Sequence, residues 1–277
     1  MTEWQPGPAW LFCPADRPER YGKALERSDL VLLDLEDAVA PTRKATAREA
    51  VRALDGIDPQ RTVVRINAAD TADHALDVAL MGELGIPRVM LAKAERAADI
   101  EALAPLEVIV LVESPAGIDR VRDLIAPANV VGAMWGAEDL VAGLGGSSSR
   151  LPSGTYRDVA RFARSATLIA AKARGVLAID SVVLDITDAD TMAAESADAV
   201  AIGFDAKAAI HPSQVAAIRA AYRPEAADVE WAQAVTEAAK EHDGGVFTFA
   251  GKMVDGPVLK HAAGILRRVT TSGPSGP

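Results

Sequence analysis

Four acidic residues follow short apolar segments, and their chemistry points to a metal site. Glu113 and Asp139 come after two successive apolar segments, and the pair Glu36 and Asp37 comes after an earlier one. Carboxylate oxygens suit Mg²⁺, which keeps several waters in its octahedral shell. We therefore predict that Glu113 and Asp139 bind Mg²⁺ and that Glu36 and Asp37 hold its waters. The alternative for Glu113 and Asp139 is a place at the start of the helices predicted after them.

One arginine, Arg65, ends another apolar segment at residues 62–66. A guanidinium at such a place is costly unless it meets an anion, and a bidentate carboxylate of a substrate is a good partner. An internal salt bridge to Glu36 or Asp37 is the alternative. Arg65 can form this salt bridge and bind a substrate carboxylate at the same time. We predict that Arg65 binds a carboxylate of the substrate.

A turn of small residues, Gly136 and Ala137 followed by Glu138, opens a predicted helix. Its free backbone N–H groups and the positive end of the helix could receive a carboxylate. Close packing of this loop on the strand is the alternative, and the spacing by itself favours that alternative. The histidines are too scattered for a zinc triad, and only His211 follows a predicted strand; the four are His74, His211, His242 and His261.

The elements that must position these side chains alternate between short apolar runs and longer helical segments. Runs rich in Val, Ile and Leu without polar alternation are typical of parallel strands buried on both faces. We predict eight such strands, at residues 9–14, 30–35, 62–66, 88–92, 108–112, 130–135, 178–184 and 199–203. Helical spacing predicts helices over 42–54, over 71–84 with Asp70 as N-cap, and over 157–173 with a stop at Gly175.

Eight strand–helix repeats predict a closed (β/α)8 barrel, in which the active site lies at the C-terminal ends of the strands. A doubly wound open sheet is the alternative, but no Gly-x-Gly-x-x-Gly follows the first strand. We predict the barrel over residues 1–220 and a C-terminal helical extension with a lid over 221–277. Within the extension we expect a helix over 225–242, a turn that includes Asp243, and an irregular segment over 246–258.

Composition excludes several classes of protein. The chain has 277 residues, with 39 acidic against 29 basic ones, so its net charge of −10 argues against a protein built to bind nucleic acid or an anionic membrane. The single cysteine, Cys13, excludes an internal disulfide framework. No apolar run reaches the ~20 residues of a membrane span, and the first residues do not resemble a signal peptide. We therefore expect a cytoplasmic protein.

Six short motifs in order resemble the citrate lyase β-subunit-like family of the HpcH/HpaI aldolase and malyl-CoA lyase superfamily, and most of all its stand-alone actinobacterial members. The resemblance runs from about Trp10 to about Leu266. The motifs are Leu11-Phe-Cys-Pro with Arg17, Asp34-Leu-Glu-Asp-Ala-Val39, Val64-Arg-Ile-Asn67, Glu113-Ser-Pro-Ala-Gly117, Gly136-Ala-Glu-Asp-Leu140 and Ile210-His-Pro-Ser-Gln214.

The resemblance implies a Mg²⁺-dependent carbon–carbon lyase with a (β/α)8 barrel that assembles as a homotrimer or hexamer. Such an enzyme cleaves or forms a thioester of the malyl-, citramalyl- or citryl-CoA type, with an acyl-CoA and a 2-oxo acid such as oxaloacetate, pyruvate or glyoxylate as the partners. Glu113 and Asp139 match the metal ligands, Arg65 matches the residue that polarises the oxo group, and Glu36 and Asp37 match carboxylates around the metal waters.

The resemblance also implies roles outside this group. Gly136, Ala137, Glu138 and Arg17 correspond to substrate contacts. Asp255 matches a lid aspartate that reaches the active site of the neighbouring subunit as an acid or base, although its sequence context alone favours an N-cap for a helix starting at Gly256. Near the expected CoA path, Ala15-Asp16 and Ala206 depart from the family pattern.

Other functions fit parts of the same pattern. The chain could be the β-subunit of a multi-subunit citrate lyase, acting on a citryl thioester of an acyl-carrier protein, but the lid-like tail favours a free CoA ester. A non-catalytic protein that binds CoA or an oxo acid would not need the full set of Glu113, Asp139 and Arg65. A metal-dependent sugar-acid aldolase typically uses a histidine base early in the chain, whereas His74 lies in a predicted helix.

Overall fold

The computed structural model describes residues 4–242 and 245–271, and eight parallel strands in it close into a barrel. Each strand pairs with the next one in the chain, and β8 pairs with β1, where Ala9 lies beside Lys207. The predicted (β/α)8 fold is therefore confirmed. The strands are β1 (Ala9–Pro14), β2 (Leu30–Asp34), β3 (Thr62–Ile66), β4 (Arg88–Leu91), β5 (Glu107–Val112), β6 (Val130–Trp135), β7 (Leu177–Asp180) and β8 (Ala206–Ala209).

Alternate residues of the strands face opposite sides, and both sides are buried. One set fills the inside of the barrel around Trp10, Met90 and Met134. The other set, with Leu33, Val110 and Trp135 among its members, packs under the surrounding helices. Because neither face meets water, the strands are continuous apolar runs rather than alternating ones, which is why the sequence predicts most of them.

Helices cover the outside of the barrel and connect its strands. Two short ones, α5 and α7, follow β5 and β6 directly, so the residues between strand and helix lie at the C-terminal mouth of the barrel. The helices are α1 (Tyr21–Arg27), α2 (Lys44–Arg52), α3 (Ala72–Leu84), α4 (Ala97–Glu101), α5 (Pro115–Asp119), α6 (Val121–Leu124), α7 (Ala137–Gly143), α8 (Asp158–Arg174), α9 (Ala189–Ile202), α10 (Pro212–Tyr222), α11 (Ala226–Lys240) and α12 (Gly256–Thr271).

Two boundary predictions at helix and strand ends are wrong. Thr71, not Asp70, precedes the first residue of α3, and no side chain caps that helix. The strand predicted over 178–184 is shorter and begins earlier, because β7 runs over Leu177–Asp180. The helix predicted over 157–173 is confirmed as α8, which ends at Gly175 in the left-handed conformation.

The predicted eighth strand, 199–203, is also wrong. These residues are the last turn of α9, and Gly203 ends the helix with φ of 106°, a backbone angle that favours glycine. A short apolar run cannot be assigned to strand or helix by periodicity alone. The true strand, β8, was hidden because it contains a charged residue, Lys207, whose buried ammonium donates to Asp180 Oδ2 at 3.0 Å and to the Ser181 carbonyl at 2.7 Å.

Beyond α10, the chain builds a small apolar cluster of its own. Helices α11 and α12 pack together against the hairpin of β9 (Phe247–Phe249) and β10 (Lys252–Val254). The irregular segment predicted over 246–258 is therefore wrong, because a two-residue turn with positive φ at Ala250 and Gly251 allows a tight hairpin. Asp243, part of the predicted turn before it, lies outside the described residues, and the boundary at 220/221 stays a prediction.

Among the residues that the structure describes, no helix combines the length and the apolar character that a membrane span requires.

Candidate active site

Charged side chains that follow three strands, together with one from α7, meet at the C-terminal mouth of the barrel. Glu36 and Asp37 follow β2, Lys93 follows β4, Glu113 follows β5, and Asp139 lies in the first turn of α7. We call these five residues the carboxylate–lysine cluster. The structure thus brings the four predicted acidic residues together around a lysine that the sequence analysis did not select.

Arg65, on β3, lies beside this cluster and is held rigidly. Its Nε donates to Asp34 Oδ1 at 2.7 Å and its Nη2 donates to Asp34 Oδ2 at 2.6 Å, so the contact is bidentate. Nη1 lies 3.2 Å from Glu36 Oε2, and the guanidinium carbon lies 4.8 Å from the centre of the Phe12 ring. Arg65 therefore does form an internal salt bridge, as the alternative interpretation expects, but its main partner is Asp34 rather than Glu36 or Asp37.

Asp34 is a residue of this site that the sequence did not single out. It is fully buried, and its two oxygens also accept from the backbone N–H of Glu36 at 2.8 Å and of Ala38 at 3.1 Å. It therefore orients Arg65 and shapes the loop that carries Glu36 and Asp37. Strand register is the signal that could have found it, because Asp34 on β2 pairs directly with Arg65 on β3.

Lys93 is the second missed residue. Its Nζ donates to Glu36 Oε1, lies 3.4 Å from Asp37 Oδ2 and lies 3.4 Å from Asp139 Oδ1. Its backbone N–H donates to Glu113 Oε1 at 3.1 Å, in a left-handed conformation with φ of 48°. The only signal in the sequence is its position directly after an apolar run, among the polar residues that end the other strands.

Glu113 is buried deeply enough to change its chemistry. Burial raises the pKa of its carboxyl from the ordinary 4.5 to about 8, against the lowering effect of Arg65. Gly136 makes room for it, because a Cβ on Gly136 would lie 2.7 Å from Glu113 Oε2. The capping role considered for Glu113 belongs to its neighbour Ser114, whose Oγ accepts from the Gly117 N–H at 3.0 Å.

The neighbouring carboxylates respond differently to the same surroundings. Burial raises the pKa of Glu36, although Arg65 and Lys93 act in the opposite direction. Asp37 is more exposed, and Lys93 and Arg65 outweigh its burial, so that its pKa is lowered. The site therefore holds carboxyl groups of unequal acidity within one hydrogen-bonded group, an arrangement typical of catalytic centres.

The donor set fits Mg²⁺. Glu113 and Asp139 offer hard oxygen ligands, and both contact Lys93, whose ammonium shows that the place accepts positive charge. Within residues 4–242 and 245–271, no group of three or more His, Cys, Asp or Glu side chains forms a cage that could hold a metal ion. Mg²⁺ does not need such a cage, since proteins usually hold it through one or two carboxylates with water or substrate as the other ligands.

The remaining predicted residues lie apart from this centre. Glu138 is exposed and accepts from Ser149 Oγ at 2.6 Å, so its side chain ties down the loop after α7. Arg17 is half-exposed and lies 3.9 Å from Asp16, its neighbour in the chain. Asp255 accepts from the Val258 N–H at 3.2 Å, which is the N-cap contact that its sequence context favours. Among the residues that the structure describes, no hydrogen bond or ion pair joins Arg17 or Asp255 to the cluster.

Comparisons with known proteins agree with this geometry. The family model "HpcH/HpaI aldolase/citrate lyase" matches residues 9–212, and a model of carbon–carbon bond lyases of the TIM-barrel fold matches residues 157–273. The citrate lyase subunit beta-like protein of Mycobacterium tuberculosis is 53% identical over 262 residues, which are 95% of each chain. Human mitochondrial citramalyl-CoA lyase is 30% identical over 298 residues, covering 96% of this chain and 86% of the human one.

A solved structure matches at the level of the whole chain. The crystal structure of CitE from M. tuberculosis in complex with magnesium, acetoacetate and coenzyme A superimposes with a TM-score of 0.90 and 51% sequence identity. The match covers 96% of this chain and 99% of that one, so the barrel and the C-terminal elements are both included.

The burial of Glu113 predicts a pH dependence of stability in the presence of EDTA. Folded Glu113 keeps its proton until about pH 8, whereas the unfolded chain loses it near 4.5, so the folded state binds the extra proton between these values. The free energy of unfolding should therefore fall as pH rises through this window, by up to about 1.4 kcal/mol per pH unit from this group. Glu113→Gln should have a flatter profile in urea unfolding measured by circular dichroism. Equal slopes for the two proteins would contradict the assignment.

Proposed function

We infer the function from the premise that the chain belongs to the HpcH/HpaI aldolase/citrate lyase family. It is a Mg²⁺-dependent carbon–carbon lyase that cleaves or forms a 3-hydroxyacyl-CoA thioester, with an acyl-CoA and a 2-oxo acid as the partners. The observation that carries the proposal for its active site is the convergence of Glu113, Asp139 and the anchored Arg65 at the mouth of the barrel.

Glu113 and Asp139 are the proposed metal ligands. When bound, Mg²⁺ supplies a Lewis acid for an oxygen of the substrate and a template that orients it. The nearby carboxylates of Glu36 and Asp37 are placed to accept hydrogen bonds from waters at this site. The backbone of the turn Gly136, Ala137 and Glu138, next to Glu113, is the proposed contact for the acid group of the substrate, and Arg17 at the rim is a further proposed contact.

Arg65 is the proposed stabiliser of the oxygen that becomes negative as the carbon–carbon bond changes. Two of its five N–H donors are used by Asp34, which holds the planar group in one orientation and leaves others for the substrate. A donor that is already in place costs no reorganisation during the reaction, and this is why such groups contribute strongly to rate.

Proton transfer is assigned to Asp255, supplied by a neighbouring copy of the chain. In the cleavage direction this carboxylate accepts the proton of the substrate hydroxyl. The carbon–carbon bond then breaks, its electron pair forms the enolate of the thioester, and the acid returns the proton to the enolate carbon. This proposal requires a homo-oligomer, for which we propose a homotrimer or hexamer, and we propose the cytoplasm as its location.

The substrate class follows from the relatives. The names of two relatives refer to citrate lyase and citramalyl-CoA lyase, and the superimposed structure contains acetoacetate and coenzyme A. We therefore propose malyl-, citramalyl- or citryl-CoA as substrate, with oxaloacetate, pyruvate or glyoxylate as the 2-oxo acid.

A screen of the purified chain tests this function. The chain should release a 2-oxo acid from at least one of these CoA esters when Mg²⁺ is present, and release should stop in EDTA. Glu113→Ala and Asp139→Ala should fold, as judged by circular dichroism, but lose activity at ordinary Mg²⁺ concentrations. Normal rates in both variants would place the metal elsewhere. Activity only on a citryl thioester of an acyl-carrier protein would identify a citrate lyase β-subunit instead.

Substitution of Arg65 tests its role in catalysis. Arg65→Lys keeps the charge but loses the planar fork, so kcat should fall by about 10²–10³. Arg164→Lys is the matched control, because Arg164, on α8, makes a similar bidentate contact with Asp180, at 2.9 and 3.1 Å, on the helix-facing side of β7. It should keep its kcat at a temperature where both variants are folded. A loss below roughly threefold in Arg65→Lys would indicate a structural salt bridge only.

Mixing two inactive variants tests whether Asp255 acts in the neighbouring subunit. Asp255→Asn removes proton transfer and should leave Mg²⁺ and oxo-acid binding intact, while Glu113→Ala removes a proposed metal ligand. A mixed oligomer contains sites with an intact Glu113 from one chain and an intact Asp255 from another, so activity should partly return after subunit exchange. Each variant exchanged with itself is the control. No recovery despite proven exchange would restrict Asp255 to its own chain or to the N-cap.

A further inference from the structure

Lys93 is the one member of the cluster for which no role has been assigned, although it contacts every other member. Its ammonium reaches Glu36, Asp37 and Asp139, and its backbone N–H holds Glu113. The side chain is 33% exposed, so it lies at the opening of the mouth rather than in the core. Four carboxylates from three parts of the barrel are thus connected through one residue.

The backbone of Lys93 indicates that this position is under a specific constraint. A φ of 48° is unfavourable for a residue with a side chain, and such conformations persist where the surroundings require them. Here the left-handed conformation points the N–H at Glu113 Oε1 and leaves the side chain free to reach Glu36. Glycine would relieve the strain but would supply no ammonium.

The charge of Lys93 is permanent under ordinary conditions. Burial acts to lower the pKa of its ammonium, but Glu36, Glu113 and Asp139 outweigh burial and raise it. A group that keeps its proton cannot serve as a general base. It can, however, reduce the repulsion among the neighbouring carboxylates, two of which, Glu36 and Glu113, are buried.

We propose that Lys93 is a positioning residue that serves as an internal counter-ion, which holds Glu36, Asp37 and Asp139 together and gives up Asp139 when Mg²⁺ binds. The inference rests on the proposed function, because it takes Asp139 as a ligand of the metal. Lys93 and Mg²⁺ then compete for one carboxylate. The lysine keeps the site assembled in the protein without metal, and it does so at the expense of metal affinity.

If Lys93 competes with Mg²⁺, its loss changes the Mg²⁺ affinity in the opposite direction from the loss of a purely structural contact. If Lys93 only braces the loop, its loss lowers stability with and without Mg²⁺ and weakens metal binding. If it competes with the metal, its loss strengthens Mg²⁺ binding, and Mg²⁺ restores the lost stability because it binds only the folded state. The side chain is partly exposed, so water screens its charge and the expected gain in affinity is on the order of tenfold.

Calorimetric titration with MgCl₂ is the direct test. Lys93→Met should lower the Kd for Mg²⁺ about tenfold relative to the unchanged protein, and Lys93→Arg, which keeps the charge, should stay close to it. Lys172→Met is the matched control, because Lys172 also has one-third of its side chain exposed (38%) and forms an ion pair, with Asp205, on the outer side of the barrel. It removes the same charge without touching the cluster, so its Kd should not change.

Thermal unfolding provides a second readout that does not depend on activity. In EDTA the Tm of Lys93→Met should lie below that of the unchanged protein, and saturating Mg²⁺ should close most of the gap. Should Lys93→Met fold only after Mg²⁺ is added, that result also supports the proposal. Lys93→Gln, which keeps hydrogen-bonding groups, carries the same expectations if the methionine variant does not fold at all.

Two results would overturn the inference, and a third concerns the function on which it rests. An equal or higher Kd in Lys93→Met, or a Tm gap that persists at saturating Mg²⁺, would make Lys93 a structural tie only. By contrast, if the unchanged protein takes up no Mg²⁺ in the calorimeter while Glu113→Ala behaves identically, the proposed metal site itself fails.

Discussion

The ion pair of Asp34 and Arg65 is the contact on which the geometry of the site depends. Both groups are buried, so each charge would be costly without the other, and removal of one partner of such a pair costs about 3–5 kcal/mol. The pair also fixes the position of the loop that carries Glu36 and Asp37. Asp34 accepts from the backbone N–H of Glu36, and Arg65 lies 3.2 Å from the Glu36 carboxylate, so the acidic loop is held at both its main chain and its side chain.

A second buried network supports this loop from outside the barrel. Lys44 Nζ, on α2, donates to the carbonyls of Leu35 and Glu36 at 2.9 and 3.1 Å and to Asn67 Oδ1 at 2.6 Å. Asn67 in turn donates to Asp77 on α3, which is paired with Arg48 at 2.9 Å. Two helices thus fix the segments that follow β2 and β3. These bonds tie the two segments of the mouth to the helices behind them.

The sequence predicts the parts of this molecule in which one physical signal dominates. Seven strands and the acidic residues after them could be located because buried parallel strands are apolar on both faces, and polar residues interrupt that pattern only where the strands end. The eighth strand, β8, could not, because its buried Lys207 is neutralised by Asp180, a contact between strands that is distant in sequence. The hairpin of β9 and β10 was missed for a related reason: it is only three residues per strand, and its apolar partners lie on α11 and α12.

Contacts between residues that are distant in sequence also explain which site residues could not be predicted. Glu113 and Asp139 could be selected because each is an acidic residue after an apolar run. Asp34 is also acidic, but it lies inside the predicted strand, and its residue type alone does not show that it pairs with Arg65. Its role depends on strand register, which places it beside Arg65. Lys93 was overlooked because a lysine after a strand is ordinary at a protein surface. Only the folded barrel places its ammonium among the acidic residues that follow β2 and that of α7.

Two buried carboxylates in this chain show why the acidic residues at the mouth, and not the buried Asp180, are the ones proposed to bind the metal. Asp180 is fully buried, yet Lys207 and Arg164 outweigh the effect of burial and lower its pKa, and Trp135 Nε1 donates to it at 2.8 Å. Its hydrogen-bonding capacity is satisfied within the protein, as a structural ion pair requires. Glu113 is buried to a similar degree, but neither Arg65 nor Lys93 forms a side-chain ion pair with it, and its pKa is raised. A carboxylate that is buried without a full set of partners has a strong tendency to bind a cation, and at the mouth of the barrel a cation from solvent can reach it.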